Sequence, residues 1–273
     1  MFKFINWLKV IKWLKICFVI YIIIGIGLYY FQEKIIFQSI ALPANYTYHF
    51  KAPFKEINTQ IDSGINLNII QFYADSNMHT KGVILYFHGN KENINHYAKY
   101  ASNFTKNGYE VWMMDYPSYG KSTGSISEIL LYDEALEVYR LALEKFPAYK
   151  IIIYGKSLGT GIASKLASIK PCKQLILETP YYNFTSLAQH YAFIYPVKTM
   201  MDYRFSTNLC LPKINVPITI FHGTADRVVP LSNAIQLKPL LKPSDTFITI
   251  SKGTHNNLYE FQEMRLAINK LLK

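Results

Sequence analysis

The stretch Ile151-Ile152-Ile153-Tyr154 runs directly into Gly155-Lys156-Ser157-Leu158-Gly159, and a small-residue stretch from Thr160 to Ile169 follows. Four consecutive β-branched or aromatic residues read as a buried parallel strand, and the later stretch, with Ala163, Ala167 and no proline, reads as a helix. Only a sharp turn can join the two, and Ser157 stands at its tip. A serine hydroxyl is a poor nucleophile unless it is exposed at such a turn beside a base and an oxyanion hole. A bare G-x-S-x-G arises by chance about 0.1 times in a chain of this length, so the surrounding strand and helix carry the argument. Gly155-Lys156-Ser157 and Gly120-Lys121-Ser122 also mimic the end of a phosphate-binding loop. That motif needs a glycine where Lys150 and Asp115 stand.

A serine at this position needs an acid and then a histidine later in the chain, each on a loop leaving the carboxyl end of a strand. Residues 216–221 read as a strand leading to His222-Gly223-Thr224-Ala225-Asp226, which makes Asp226 the candidate acid. Residues 247–250 read as the next strand, and His255 on the loop after it is the candidate general base. Asp226 is expected to orient the imidazole and stabilise the imidazolium without taking the proton. His88 and His222 also follow apolar strands and are read as structural. Asp115 precedes the serine and Asp245 begins its strand, while Asp202 stands in reserve as an acid. The oxyanion hole is expected from the backbone N–H of Leu158, after the nucleophile, and that of Asn90, after the apolar strand 83–87.

With these residues assembled, the chain resembles the α/β-hydrolase superfamily. More narrowly, it is similar to membrane-anchored, single-domain, ABHD-like serine hydrolases that pair an HGN oxyanion loop with a D-x-P-x-x-G-x-S segment and a G-x-S-x-G nucleophile elbow. Here these are His88-Gly89-Asn90, Asp115 to Ser122, and Gly155 to Gly159, followed by Asp226 and His255. The match covers about residues 55–273. Bacterial members carry loose serine-peptidase labels, and eukaryotic relatives include enzymes that remove palmitate from protein cysteines. The chain departs from many relatives in carrying Lys91-Glu92-Asn93 directly after the HGN.

No charged residue occurs between Ile16 and Phe31. At 1.5 Å per residue this run spans about 24 Å, slightly short of a bilayer's hydrocarbon core. Trp13 and Leu14 extend it, and Lys12 and Lys15 can snorkel. Lys3, Lys9, Lys12 and Lys15 precede it, against Glu33 and Lys34 after it. The positive-inside rule therefore puts the amino terminus in the cytoplasm and the remainder on the other side. A cleaved signal peptide is the competing reading, although the small residues around Ser39-Ile40-Ala41 lie far beyond the apolar run. Met1 to Lys15 interleaves Phe2, Ile5, Trp7, Leu8, Ile11 and Leu14 with lysines, as an interfacial amphipathic helix would.

The expected organisation is a basic segment and anchor over 1–34, a linker over 35–54 and one hydrolase domain over 55–273. The expected fold class is α/β, a mostly parallel sheet with helices on both faces, preceded by one transmembrane helix. A hairpin about Ser63-Gly64 opens the sheet. Strands near 83–87, 111–114, 151–154, 174–178, 216–221 and 246–250 then alternate with helices near 92–107, 127–146, 231–241 and 257–272. Between 180 and 212 the alternation breaks and Tyr181, Phe184, Tyr191, Tyr195, Met200 and Met201 crowd in, as in a short cap that lines an acyl pocket or simply packs on the body.

The formal net charge is +11. The first 34 residues hold five lysines and one glutamate, which leaves +7 for the rest. No nucleic-acid module or arginine-rich run accompanies it, so no nucleic-acid partner is inferred. No cofactor or metal is implied, since C-x-x-C, H-E-x-x-H and calcium-loop spacings are missing from the sequence. Cys172 and Cys210 could pair in an exported domain. The residues read best as an ester or thioester hydrolase acting on acylated or membrane-proximal substrates, with the anchor contacting membrane lipids; the oligomeric state is left open. A serine peptidase with the same three residues is the alternative, with Glu178 as its one candidate for holding a peptide terminus. A non-catalytic membrane-tethered scaffold is the other.

Overall fold

The computed structural model describes residues 7–62, 64–77 and 79–273. Helix α1 (Trp7–Ile36) is followed by strands β1 (Phe54–Asp62), β2 (Ile65–Phe72), β3 (Gly82–Phe87) and β4 (Tyr109–Met114). Helix α2 (Glu128–Leu143), strand β5 (Ile151–Lys156), helix α3 (Gly159–Ile169) and strand β6 (Gln174–Glu178) come next. Helix α4 (Phe184–Tyr191), strands β7 (Ile218–Gly223) and β8 (Thr246–Ile250), and helix α5 (Gln262–Leu271) complete the main elements.

The eight strands form one sheet in the order β8-β7-β6-β5-β3-β4-β2-β1. β1 and β2 are an antiparallel hairpin, β2 is antiparallel to β4, and every other neighbouring pair is parallel. Strands β3 to β7 are buried along their whole length, which is why they read as unbroken apolar runs. Alternate residues face opposite ways and build a core on each side of the sheet. Leu85, Ile153, Leu177 and Ile220 pack under α2 and α3, while Ile84, Ile152, Ile176 and Phe221 pack with Met264 and Ile268 of α5.

The structure departs from expectation in three helices. The helix expected over 92–107 is broken into short turns, Ile94–Tyr97, Ala98–Tyr100 and Ser102–Thr105. Four asparagines and several aromatics in that stretch compete with or crowd an α-helix. The one expected over 231–241 is a single turn, Leu231–Ala234, passing into the 3₁₀ segment Ile235–Leu240 with Pro239 inside it. Proline lacks the N–H and clashes with the preceding turn. The last helix begins at Gln262, after a 3₁₀ turn at Leu258–Glu260, rather than at 257.

Residues 35–54, expected as a linker, are tied to the body. Gln38–Ser39 pairs in parallel with Lys91–Glu92, and Phe37 and Tyr48 are buried. Cys172 and Cys210, which could have paired in an exported domain, are both buried and free. Part of the amphipathic segment expected over 1–15, and Ser63 of the hairpin, lie outside the described residues. The helix α1 is long and apolar enough to cross a membrane, and none of its most apolar window is buried.

Candidate active site

Ser157 has a positive φ of 50°, a left-handed conformation that non-glycine residues rarely adopt. The strain follows from how tightly β5 must turn into α3. A Cβ on Gly155 would meet Gly159 O at 2.5 Å, and one on Gly159 would meet Phe87 O at 2.1 Å. Only glycine fits at both positions, because each brings two backbones into contact. The turn is fastened by the Ser157 N–H donating to Glu178 O (2.9 Å) and the Thr160 N–H donating to Ser157 O (2.9 Å).

The loop after β7 brings Asp226 to the turn, and the loop after β8 brings His255. The His255 Nδ1–H donates to Asp226 Oδ2 at 2.8 Å, since a carboxylate oxygen only accepts. That leaves Nε2 as the acceptor for the Ser157 hydroxyl, at 2.8 Å. Asp226 Oδ1 accepts from the N–H groups of Val228 (2.8 Å) and Val229 (2.9 Å). Burial pushes the Asp226 carboxyl up, but the His255 hydrogen bond and charge and the Val229 N–H outweigh it and hold it below the ordinary carboxylate range.

The competing acids are engaged elsewhere. Asp115 accepts from the Ile94 N–H (2.8 Å) and the Tyr48 hydroxyl (3.3 Å), and Asp245 accepts from the Ile218 N–H (2.9 Å). The Asp202 N–H donates to Gln32 Oε1 (3.0 Å), on the side of the cap facing α1. His88 Nδ1–H donates to Gly89 O (2.7 Å), and His222 Nε2–H donates to Val229 O (2.8 Å).

Burial pushes the His222 imidazole down, only partly offset by the Val229 carbonyl and Asp226, so His222 is held neutral. Its depressed folded value means that the unfolded chain binds more protons. Its contribution to stability is therefore complete above about pH 6.5 and is lost as pH falls through the folded value; Asp226 acts with the same sign from about pH 3.9 downward. Melting temperature is expected to fall between about pH 7 and pH 5, and His222→Gln, which keeps a donor for Val229, is expected to flatten that slope. A slope identical in the variant would contradict the assignment.

Asn90 sits on the loop after β3. Its carbonyl accepts from the Tyr119 hydroxyl (2.7 Å) and the Gln38 N–H (3.0 Å), and its side-chain Nδ2 donates to Ile36 O (2.8 Å). The Tyr116 hydroxyl donates to His88 O (2.7 Å). Among the described residues, neither the Asn90 N–H nor the Leu158 N–H donates a hydrogen bond within the chain. Both are free to face a developing oxyanion.

Two features escape sequence reasoning. One is the strap from Ile36 to Ile40 over the Asn90 loop. The other is a buried network around Lys156, whose Nζ donates to Glu178 Oε1 (2.5 Å) and to the backbone carbonyl of His255 (3.0 Å). The Tyr154 hydroxyl donates to Glu178 Oε2 (2.6 Å). A lysine inside an otherwise apolar strand was its one sequence signal. Glu178, considered as a holder for a peptide terminus, is 0 % exposed and already paired, so it is not available for that role.

The model of a family described as serine aminopeptidase, S33, matches residues 78–208. The lysophosphatidylserine lipase ABHD12 of Danio rerio is 29% identical over 194 residues, covering 64% of this chain and 51% of its own. The protein bem46 of Schizosaccharomyces pombe is 26% identical over 254 residues, covering 86% of this chain and 84% of its own. The chain spans about half the length of the ABHD12 and ABHD12B relatives it matches. Among solved structures, the Pyrococcus furiosus esterase Pf2001 superposes with a TM-score of 0.66 at 14% identity, over 87% of this chain and 97% of that one. The ferulic acid complex of Est1E from Butyrivibrio proteoclasticus gives 0.65 at 17% identity, over 79% and 97%. At these identities the structural likeness speaks for the fold alone.

Proposed function

We propose that this chain, which has the α/β-hydrolase fold and is similar over residues 78–208 to a family described as serine aminopeptidase, S33, is an ABHD-like serine hydrolase that cleaves carboxylic ester or thioester bonds through Ser157, His255 and Asp226. The observation that carries the reading is the pair of 2.8 Å contacts joining Ser157, His255 and Asp226 at a strained turn. In the proposed mechanism Ser157 Oγ attacks the acyl carbonyl while His255 Nε2 takes its proton. The N–H groups of Asn90 and Leu158 hold the oxyanion. His255 then returns the proton to the departing alcohol or thiol, and an acyl-Ser157 intermediate remains. Water, deprotonated by the same imidazole, releases the acid.

The proposed substrates are acylated and membrane-proximal. The length and apolarity of α1 support anchoring, and its lysine-rich start supports a cytoplasmic amino terminus with the hydrolase on the other side. Several relatives are named lysophosphatidylserine lipases, a single-chain lipid ester activity that fits the same reading. The test is a panel of 4-nitrophenyl esters, acyl thioesters and aminoacyl amides offered to the full chain and to Ser157→Ala. Turnover of esters or thioesters by the wild type alone is expected. Preferred cleavage of the amides would favour the peptidase reading, and turnover by Ser157→Ala would remove this serine from the mechanism.

A further inference from the structure

The residues of α1 that approach the body include Tyr21, Gly25, Leu28, Gln32 and Ile36, spaced three and four apart along one face. They meet the cap. Tyr21 stacks on Tyr195 with ring centroids 4.6 Å apart, and a Cβ on Gly25 would lie 3.0 Å from that ring. The Tyr21 hydroxyl donates to Ile194 O (3.0 Å), and Gln32 bonds both Met200 O (3.2 Å) and the Asp202 N–H (3.0 Å). From Tyr21 to Gln32 the helix rises about 16 Å, and the cap follows it over that length. Its tip, with Phe193 75% and Ile194 57% exposed, therefore stands beside the middle of the uncharged run. A cap tip of this kind lies at hydrocarbon depth when the helix spans a bilayer.

Between α1 and the cap lies a cavity of about 360 Å³, within the size range of small-molecule pockets. Leu28 and Ile35 wall it from α1, Leu187 and Ala188 from α4. Its other end reaches Asn90, the proposed oxyanion donor, and Val228, two residues from Asp226. Gly89, next to Asn90, lies close enough that an added Cβ would be 3.6 Å from Ser157 Cβ. An apolar space that begins at the anchor helix and ends beside the reacting centre has the chemistry of a hydrocarbon chain.

We propose that this cavity holds the acyl chain of the substrate, a single chain admitted sideways from the bilayer, so that the anchor helix is itself one wall of the acyl pocket. The proposal rests on the hydrolase reading above, and it makes chain-length preference a property of α1 as much as of the cap.

The test uses the full chain in phosphatidylcholine nanodiscs, with 4-nitrophenyl acetate and 4-nitrophenyl decanoate as substrates and a fluorophosphonate as an independent probe of the serine. Leu28→Trp fills the cavity from α1 and Ala188→Trp fills it from the cap. Each is expected to lower the decanoate-to-acetate ratio of kcat/KM at least about tenfold while the serine remains labelled. Ile23→Trp, on the exposed opposite face of α1, is expected to leave the ratio as in the wild type. An unchanged ratio in both cavity variants, with the serine labelled, would overturn the proposal and leave the hydrolase reading standing. A wild type that neither labels nor cleaves either ester would overturn the hydrolase reading, and this proposal with it.

Discussion

Replacing Ser157 by alanine is expected to lower kcat/KM for an activated ester by about 10⁴- to 10⁶-fold with little change in melting temperature. The variant removes one hydroxyl and its hydrogen bond to His255. It retains the backbone bonds to Glu178 and Thr160 that fasten the turn, so the backbone strain at φ 50° is carried as before. His255→Ala should fall in the same range, because the two act as a unit and the loss of either stops proton transfer. Asp226→Asn is expected to cost about 10⁴-fold, since an amide can present a donor to Nδ1 and favour the tautomer that cannot accept from serine. Steady-state kinetics on the three single variants and on Ser157→Ala/His255→Ala checks this. Multiplicative losses in the double variant would contradict a concerted unit.

The second large effect is expected on stability. Lys156→Met leaves the Glu178 carboxylate buried, with the Tyr154 hydroxyl as its remaining side-chain partner. Breaking a buried ion pair by removing one member costs about 3–5 kcal/mol, whereas replacing both members by apolar groups is often close to neutral. For a domain of this size the single variant should melt about 6–20 °C lower. The double variant Lys156→Met/Glu178→Leu should recover most of that loss. Its ester turnover should remain reduced, because Lys156 also fastens the His255 carbonyl at 3.0 Å. Thermal melts and ester kinetics on the same two proteins separate the effects. Full recovery of turnover together with stability would show that the lysine only neutralises Glu178.

The central sheet was legible because strands buried on both faces must be written as largely apolar runs, and 83–87, 151–154 and 174–178 were read close to their observed bounds. The loops that carry Ser157, Asp226 and His255 follow from the strand order, since each lies at the carboxyl end of a strand in the parallel part of the sheet. Contacts made across the sequence without periodicity were not legible. Gln32 and Tyr203 look like ordinary polar residues, yet Gln32 bonds the cap and the Tyr203 hydroxyl donates to Glu33 (3.1 Å). The sequence marks where α1 is apolar and says nothing of which face meets the body. For the same reason a boundary at residue 35 is unsuitable for preparing a soluble domain. It cuts away Leu28 and Gln32 and leaves Ile36 and Phe37, both buried, at a raw end.

An activated Ser157 nucleophile is the central requirement of the proposed hydrolase chemistry. The measurement is intact mass and peptide mapping of the full chain after treatment with a fluorophosphonate, beside Ser157→Ala and His255→Ala. A single adduct on the Ser157 peptide in the wild type, absent from Ser157→Ala and strongly slowed in His255→Ala, is the predicted result. A folded wild type that takes up no adduct, or one modified equally with His255 removed, would contradict it.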